Sequence, residues 1–372
     1  MNRSRLRRRA VVGLTAALSL LTFAGAFAPA VATATTASIT FSPQLDGCVG
    51  GTMPHPGGTE KVTWRDAGGH VIVSYTVTSD PYGHWFETPG VCAAHRIEAG
   101  DTITGKVTQP STMQRTITVP SITGTFDRTN NVIEGRAPAG GTFGIYVADY
   151  LPGNTSQSRC QITPPRTAKG AFSVNTTNCD GLGYVADGAD EAYLDWTDAQ
   201  GDTTVRQLTA PYVRVMLGTA KIIGYALPGT TVHATLKNAG GTSIGSAQAL
   251  AGSTGSFTLK VKNGGGAAVP IRAGERLSGD WAGFVHFVVP QATATGSGST
   301  ISGKCAPNAP YALVLVFRDH STYNATATTD ATGSTGDIDI TFTGETVQSG
   351  DPISIVCQMP SGDRVGRATT IP

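Results

Sequence analysis

Residues 222–241 read IIGYALPGTTVHATLKNAGG, and TGSFTLKV (254–261) and IRAGERL (271–277) follow. Two apolar runs with period-two alternation, Ile222–Tyr225 and Val232–Leu236, flank a Pro-Gly turn, and an Asn-Ala-Gly-Gly turn closes the second run. Such dipeptides set tight turns because proline fixes φ and glycine accepts positive φ. The stretch therefore predicts short antiparallel strands.

The same pattern recurs along the chain. GTMPHPGGT begins at Gly51, GRAPAGGT at Gly135, GYALPGTT at Gly224 and GKCAPNAP at Gly303, so the leading glycines lie 84, 89 and 79 residues apart. A second glycine opens a short apolar run 32, 35, 31 and 33 residues later, at Gly83, Gly170, Gly255 and Gly336. An acid follows at offsets 50, 55, 51 and 48: Asp101, Asp190, Glu275 and Asp351. Each unit then closes on a proline: Pro120, Pro211, Pro290 and Pro372. Three markers in common register predict an all-β chain of tandem sandwich repeats. The boundaries expected are 33–120, 121–211, 212–290 and 291–372. A closing proline suits a strand end, where no ladder bond is lost.

The pattern G-x-a-x-P-G-x-x-V, a G-G hairpin, G-x-F and then a-G-D resembles the bacterial immunoglobulin-like (Ig-like) repeats of secreted and surface proteins, including adhesins. The third unit matches best. The second has longer loops around Tyr150–Thr167, and the fourth has Asn308-Ala309-Pro310 in place of Pro-Gly. The resemblance implies four tandem Ig-like β-sandwich repeats that work as stalks, spacers or binding modules, with the end-loops as contact surfaces.

The first 32 residues have the order of a secretory signal peptide. MNRSRLRRR is basic, Ala10 to Ala28 is apolar and uncharged, and Ala30-Val31-Ala32 is a small-x-small cleavage site. Arg8-Arg9 also admits twin-arginine export. The whole chain carries +1, and removing five arginines leaves a mature charge of −4. A mildly acidic chain without a basic cluster excludes nucleic acid as the expected partner. No later apolar run reaches the ~18–20 residues of a membrane span. An extracellular, elongated monomer, free or associated with the cell wall, is expected, and no LPxTG-like signal precedes Ile371-Pro372.

Six cysteines after an export signal predict disulfides. The repeat frame places Cys48 with Cys92, Cys160 with Cys179 and Cys305 with Cys357, one bridge in each of three units.

No catalytic constellation is expected. Gly241-Thr-Ser243-Ile-Gly245 matches GxSxG, yet it lies in a hairpin and not at a strand-to-helix turn. The histidines show neither HxH nor HExxH spacing; a loop zinc site from His55, His84 and His95 is the one arrangement they allow. Asp187, Asp190 and Asp198, within a run of six acids, form a candidate calcium site if their oxygens converge. Core packing is the default for the tryptophan rings; Tyr82, His84 and Trp85 form the one local aromatic cluster suited to a ligand, and as such would serve glycan binding by the first repeat. Asn154, Asn175 and Asn324 stand in glycosylation sequons. Two readings follow: a non-catalytic binding, adhesion or spacer array, or a carbohydrate-binding protein. An enzyme or inhibitor on a sandwich scaffold ranks last.

Overall fold

Period-two burial runs through the strands, as in Thr231–Lys237, where alternate side chains enter the core. The computed structural model describes residues 38–45, 47–87, 94–107, 112–151, 155–164, 166–167, 169–177, 188–283, 285–309, 311–316, 325–329, 335–341 and 346–371. The expected signal peptide, Cys92, Cys179, Asp187, Asn154 and Asn324 lie outside them.

Residues 38–119 form β1 (Thr40–Leu45), β2 (Val49–Thr52), β3 (Thr59–Arg65), β4 (Val71–Thr78), β5 (His84–Phe86), β6 (Thr102–Val107) and β7 (Met113–Thr118). Residues 122–210 form β8 (Thr123–Asp127), β9 (Val132–Arg136), β10 (Thr142–Leu151), β11 (Thr155–Ile162), β12 (Ala171–Asn175), β13 (Glu191–Thr197) and β14 (Thr203–Thr209). Residues 212–289 form β15 (Tyr212–Met216), β16 (Lys221–Tyr225), β17 (Thr231–Lys237), β18 (Ser243–Leu250), β19 (Ser256–Lys260), β20 (Arg276–Gly279) and β21 (Val285–Val288). The last stretch holds β22 (Thr293–Ser297), β23 (Thr300–Lys304), β24 (Tyr311–Val316), β25 (Ala325–Thr329), β26 (Asp337–Thr341), β27 (Pro352–Gln358) and β28 (Arg364–Thr370).

One topology recurs in all four stretches. The first, second and fifth strands pair in one sheet, and the fourth, third, sixth and seventh in the other. The acid marker closes each stretch through its backbone. Asp101 O accepts from Val119 N at 2.8 Å, Asp190 O from Ala210 N at 2.8 Å, Glu275 O from Val289 N at 2.8 Å and Asp351 O from Ile371 N at 3.0 Å. The acceptor's partner is each time the residue before the closing proline. Three of the acid side chains also hold the backbone N–H three residues upstream, at Glu98, Arg272 and Gln348. Before the acid stand Gly100, Gly274 and Gly350 with φ near 90°, whereas the second stretch puts Ala189 there at φ 76°. An alanine in that region is strained, and the closing bonds hold it.

The stretches are not separate beads. β14 runs parallel to β1, with Gln44 opposite Val205 and Leu45 opposite Arg206. β28 runs parallel to β15 over Arg214–Met216 and Arg364–Gly366. Two seven-stranded sheets result, β11-β10-β13-β14-β1-β2-β5 and β19-β16-β15-β28-β27-β24-β25. Among the described residues most buried apolar side chains fall in two large clusters, one from Ile39 to Ala210 and one from Val213 to Ile371, with Leu313 and Val356 forming a small third. The expected rod of independently closed modules is thus corrected: the core continues past Pro120 and past Pro290 and breaks near Pro211. The cause is that each even-numbered stretch folds back to lay its last strand beside the first strand of its predecessor.

Each parallel joint carries a buried aspartate from the hairpin before that last strand. Asp202 Oδ1 accepts from Phe41 N at 2.8 Å, and Oδ2 meets the Arg115 guanidinium, which also donates to Ile39 O. Asp363 is fully buried. Its Oδ1 accepts from Val213 N at 2.9 Å and Trp281 Nε1 at 3.2 Å, and its Oδ2 from Arg128 Nη2 at 3.0 Å and Ser361 Oγ at 2.9 Å. Arg128 and Gly188 N, which donates to Ser361 O, tie the two halves of the chain together by polar contacts.

The Cys305–Cys357 bridge forms as expected, with Cα atoms 5.5 Å apart and a sequence separation of 52. It links the end of β23 to β27, one cysteine from each sheet, and a loop of that size is worth about 4 kcal/mol in the chain-entropy account. Cys48 is also disulfide-bonded, and among the described residues no cysteine is free. The other expected pairings fall on residues outside those described.

Candidate functional site

Of the calcium candidate, Asp187 lies outside the described residues, and Asp190 and Asp198 do not converge. Asp190 and Asp198 stand at opposite ends of β13, about 26 Å apart at ~3.3 Å per residue. Asp190 is buried at the closure, and Asp198 Oδ1 caps its own hairpin by accepting from Gln200 N at 2.8 Å and Asp202 N at 2.9 Å. Among the described residues no group of three or more His, Cys, Asp or Glu gathers to hold a metal, His55, His84 and His95 included. Ser243 of the GxSxG match lies exposed on β18, in a hairpin with β17.

The Tyr82–His84–Trp85 cluster is split by the pleat. β5 turns His84 and Phe86 outward and Trp85 inward, where its ring packs edge-on to Phe41 with centroids 6.2 Å apart and is 1% exposed. Tyr82 and Phe86, 83% and 66% exposed, are the rings that reach solvent. Trp85 is therefore a core residue and not a ligand platform.

A different surface has the form of a site. The outer face of β10, β13 and β14 bears a groove of about 880 Å³, a volume typical of small-ligand sites. Gly144 on β10 and Asp195 on β13 are directly paired at its centre. Tyr146 and Gln161 bound one side, and Thr142, Thr197 and Thr203 the other, with the last two hydroxyls 2.9 Å apart. Behind Tyr146 stands Tyr193, ring centroids 6.0 Å apart. The end wall is the Gly140–Gly141 turn. Arg166 fixes it by donating to the carbonyls of Pro138 (2.7 Å), Gly140 (3.0 Å) and Gly141 (2.9 Å) while lying over the Phe143 ring. Trp196 Nε1 adds a bond to Gly140 O.

Asp195 is the group of interest. Its Oδ1 is buried with no hydrogen-bond partner, and burial pushes its carboxyl up to about 6. An acid in such a place is costly unless something pairs with it. The sequence marked this acid only as one of six in a run. The signal that was available is the alternation of EAYLDWT, which puts Glu191, Tyr193 and Asp195 on one face. The groove lies on a sheet face, whereas end-loops were the expected contact surfaces.

No family model matches the chain, and no curated protein matches it. Solved structures align with it at low identity. One is a tetra-tandem repeat in the extending region of a large adhesion protein, at 14% identity over 90% of this chain and 100% of that one, TM-score 0.17. Another is E. coli alpha-2-macroglobulin in its native conformation, at 11% over 92% and 30%, TM-score 0.17. A third is the Group B Streptococcus pullulanase SAP, at 8% over 51% and 24%, TM-score 0.17. At that TM-score none of these alignments carries an argument about this chain. The all-β, sandwich-like architecture stands on the strand pairing described above. Among the described residues no helix is long and apolar enough to cross a membrane.

Proposed function

We propose that the chain is an exported, non-catalytic array of four Ig-like sandwiches that serves by binding or spacing. The observation that carries this reading is the repeated joint, in which Asp202 and Asp363 each hold the first strand of one module against the last hairpin of the next. Fixing module orientation with buried charged hydrogen bonds is useful to a stalk or a presented surface. The seven-strand, three-plus-four arrangement in every stretch supports the Ig-like assignment. The Cys305–Cys357 bridge is consistent with an oxidising compartment.

Fractionation of producing cells tests the reading. The protein is expected in the medium or the wall, starting after residue 32 and with oxidised cysteines. Recovery from the cytoplasm with reduced thiols and an intact N-terminus contradicts it.

A further inference from the structure

Interior strand glycines in this chain have an evident packing reason, with one exception. A Cβ on Gly135 would lie 2.0 Å from Thr123 O, on Gly224 2.2 Å from Tyr212 O, on Gly303 1.9 Å from Thr293 O and on Gly279 2.1 Å from the Trp281 ring. Gly144 differs. A Cβ there would meet nothing nearer than 3.8 Å, at Gln161 Nε2, and its φ is not in the left-handed region. Among the described strand glycines it alone has such room. Glycine within a strand costs stability and gives up side-chain packing, and one recurrent reason to keep it is close approach of a ligand.

The bare position is paired with Asp195 across β10–β13, so the open floor and this half-buried carboxyl line one groove. Around them stand a tyrosine, a primary amide and three threonine hydroxyls. The one cation among the described lining residues, Arg166, donates to three backbone carbonyls. The Asp195 carboxylate in the lining disfavours an anionic ligand. A sugar ring presents hydroxyls to donate to Asp195 and Gln161, others to accept from the Gln161 amide and the threonines, and a C–H face for Tyr146.

We infer that the groove over Gly144 and Asp195 binds a neutral oligosaccharide, which rests on the reading of the chain as a binding array and names its ligand class. Gly144 admits the ring to the sheet, Asp195 and Gln161 orient its hydroxyls, and Tyr146 supplies the apolar contact.

The test is isothermal titration of the mature, disulfide-intact chain with neutral glucose, mannose and N-acetylglucosamine oligomers of about two to six units. A basic lysine-rich peptide forms a parallel arm. Binding of at least one sugar series is expected. Gly144→Val should weaken it at least about tenfold by filling the floor, with the melting temperature retained, because valine suits an open strand position. Asp195→Asn should weaken it similarly while keeping the shape. No sugar binding at millimolar concentration, sugar binding unchanged in both variants, or binding of the basic peptide alone would overturn the assignment. Those outcomes leave the export and module reading intact, since cell fractionation decides that separately.

Discussion

Asp363→Ala lowers the stability of the 212–371 half by about 3–5 kcal/mol, the range for removing one partner of a buried ion pair. The change strips the acceptor from Val213 N and Trp281 Nε1 and leaves the Arg128 guanidinium without its carboxylate in a site where it is nearly inaccessible. An unmet buried donor alone costs about 1–3 kcal/mol. Removing the arginine as well should recover part of the loss, so Arg128→Ala in the Asp363→Ala background costs less than in the wild type. Urea denaturation of the four members of that cycle provides the check. A single-variant loss under about 1 kcal/mol would mean that the joint does not hold the pair together.

The other large effect has the opposite sign. Glu60→Met raises stability above neutral pH by about 2 kcal/mol, and the pH dependence between 5 and 7 largely disappears. Glu60 is 0% exposed, and neither carboxylate oxygen has a hydrogen-bond partner. One of them occupies the place where a Cβ on Gly105 would lie, 1.6 Å from the ideal position. Burial pushes its carboxyl from 4.5 up to about 7. Because this pKa is raised on folding, the folded form keeps its proton while the unfolded chain has lost it. Stability is full below about pH 4.5, falls as pH rises toward 7, and is level above that. The shift corresponds to at most about 3 kcal/mol, and water reaching the ionised group reduces this. Glu87, raised chiefly by its own burial, and Tyr75, raised by burial and by Glu87 and Glu60, face the same space. Glu87 shifts stability in the same direction. In the third stretch Val232 holds the equivalent place on β17, which shows that the position takes an apolar side chain. Denaturant midpoints at pH 5 and 8 for wild type and variant settle it. A wild type equally stable at both would contradict the burial account.

The module pattern was legible because its markers are backbone requirements. Gly83, Gly170, Gly255 and Gly336 all adopt positive φ, between 72° and 88°, and the acid markers close their stretches by main-chain bonds. The residue two places after each turn glycine, Trp85, Phe172, Phe257 or Ile338, is buried in every stretch. Trp85 is therefore legible as a core residue from its register, in agreement with core packing as the default for these rings. Strand alternation says which face is inward but carries no information on which distant strand lies alongside. For that reason the β1–β14 and β15–β28 pairings were hidden. Asp202 and Asp363 read as ordinary Gly-Asp turns. A Gly-Asp falls in the last hairpin of the second, third and fourth stretches, at Gly201-Asp202, Gly279-Asp280 and Gly362-Asp363, so the dipeptide does not single out the two joint aspartates. The groove is not legible in the sequence because Gly144, Tyr146, Gln161 and Asp195 come from three strands, and only the β10–β11 and β10–β13 registers bring them together.

Differential scanning calorimetry of the mature, oxidised chain measures the cooperative unit directly. Two transitions are predicted, one for residues 38–210 and one for 212–371, because each half shares a core and a seven-stranded sheet while the halves meet through polar bonds. Asp202→Ala should lower only the first and Asp363→Ala only the second. Four transitions, each insensitive to the aspartates of its neighbour, would contradict paired modules and return the chain to a row of independent domains.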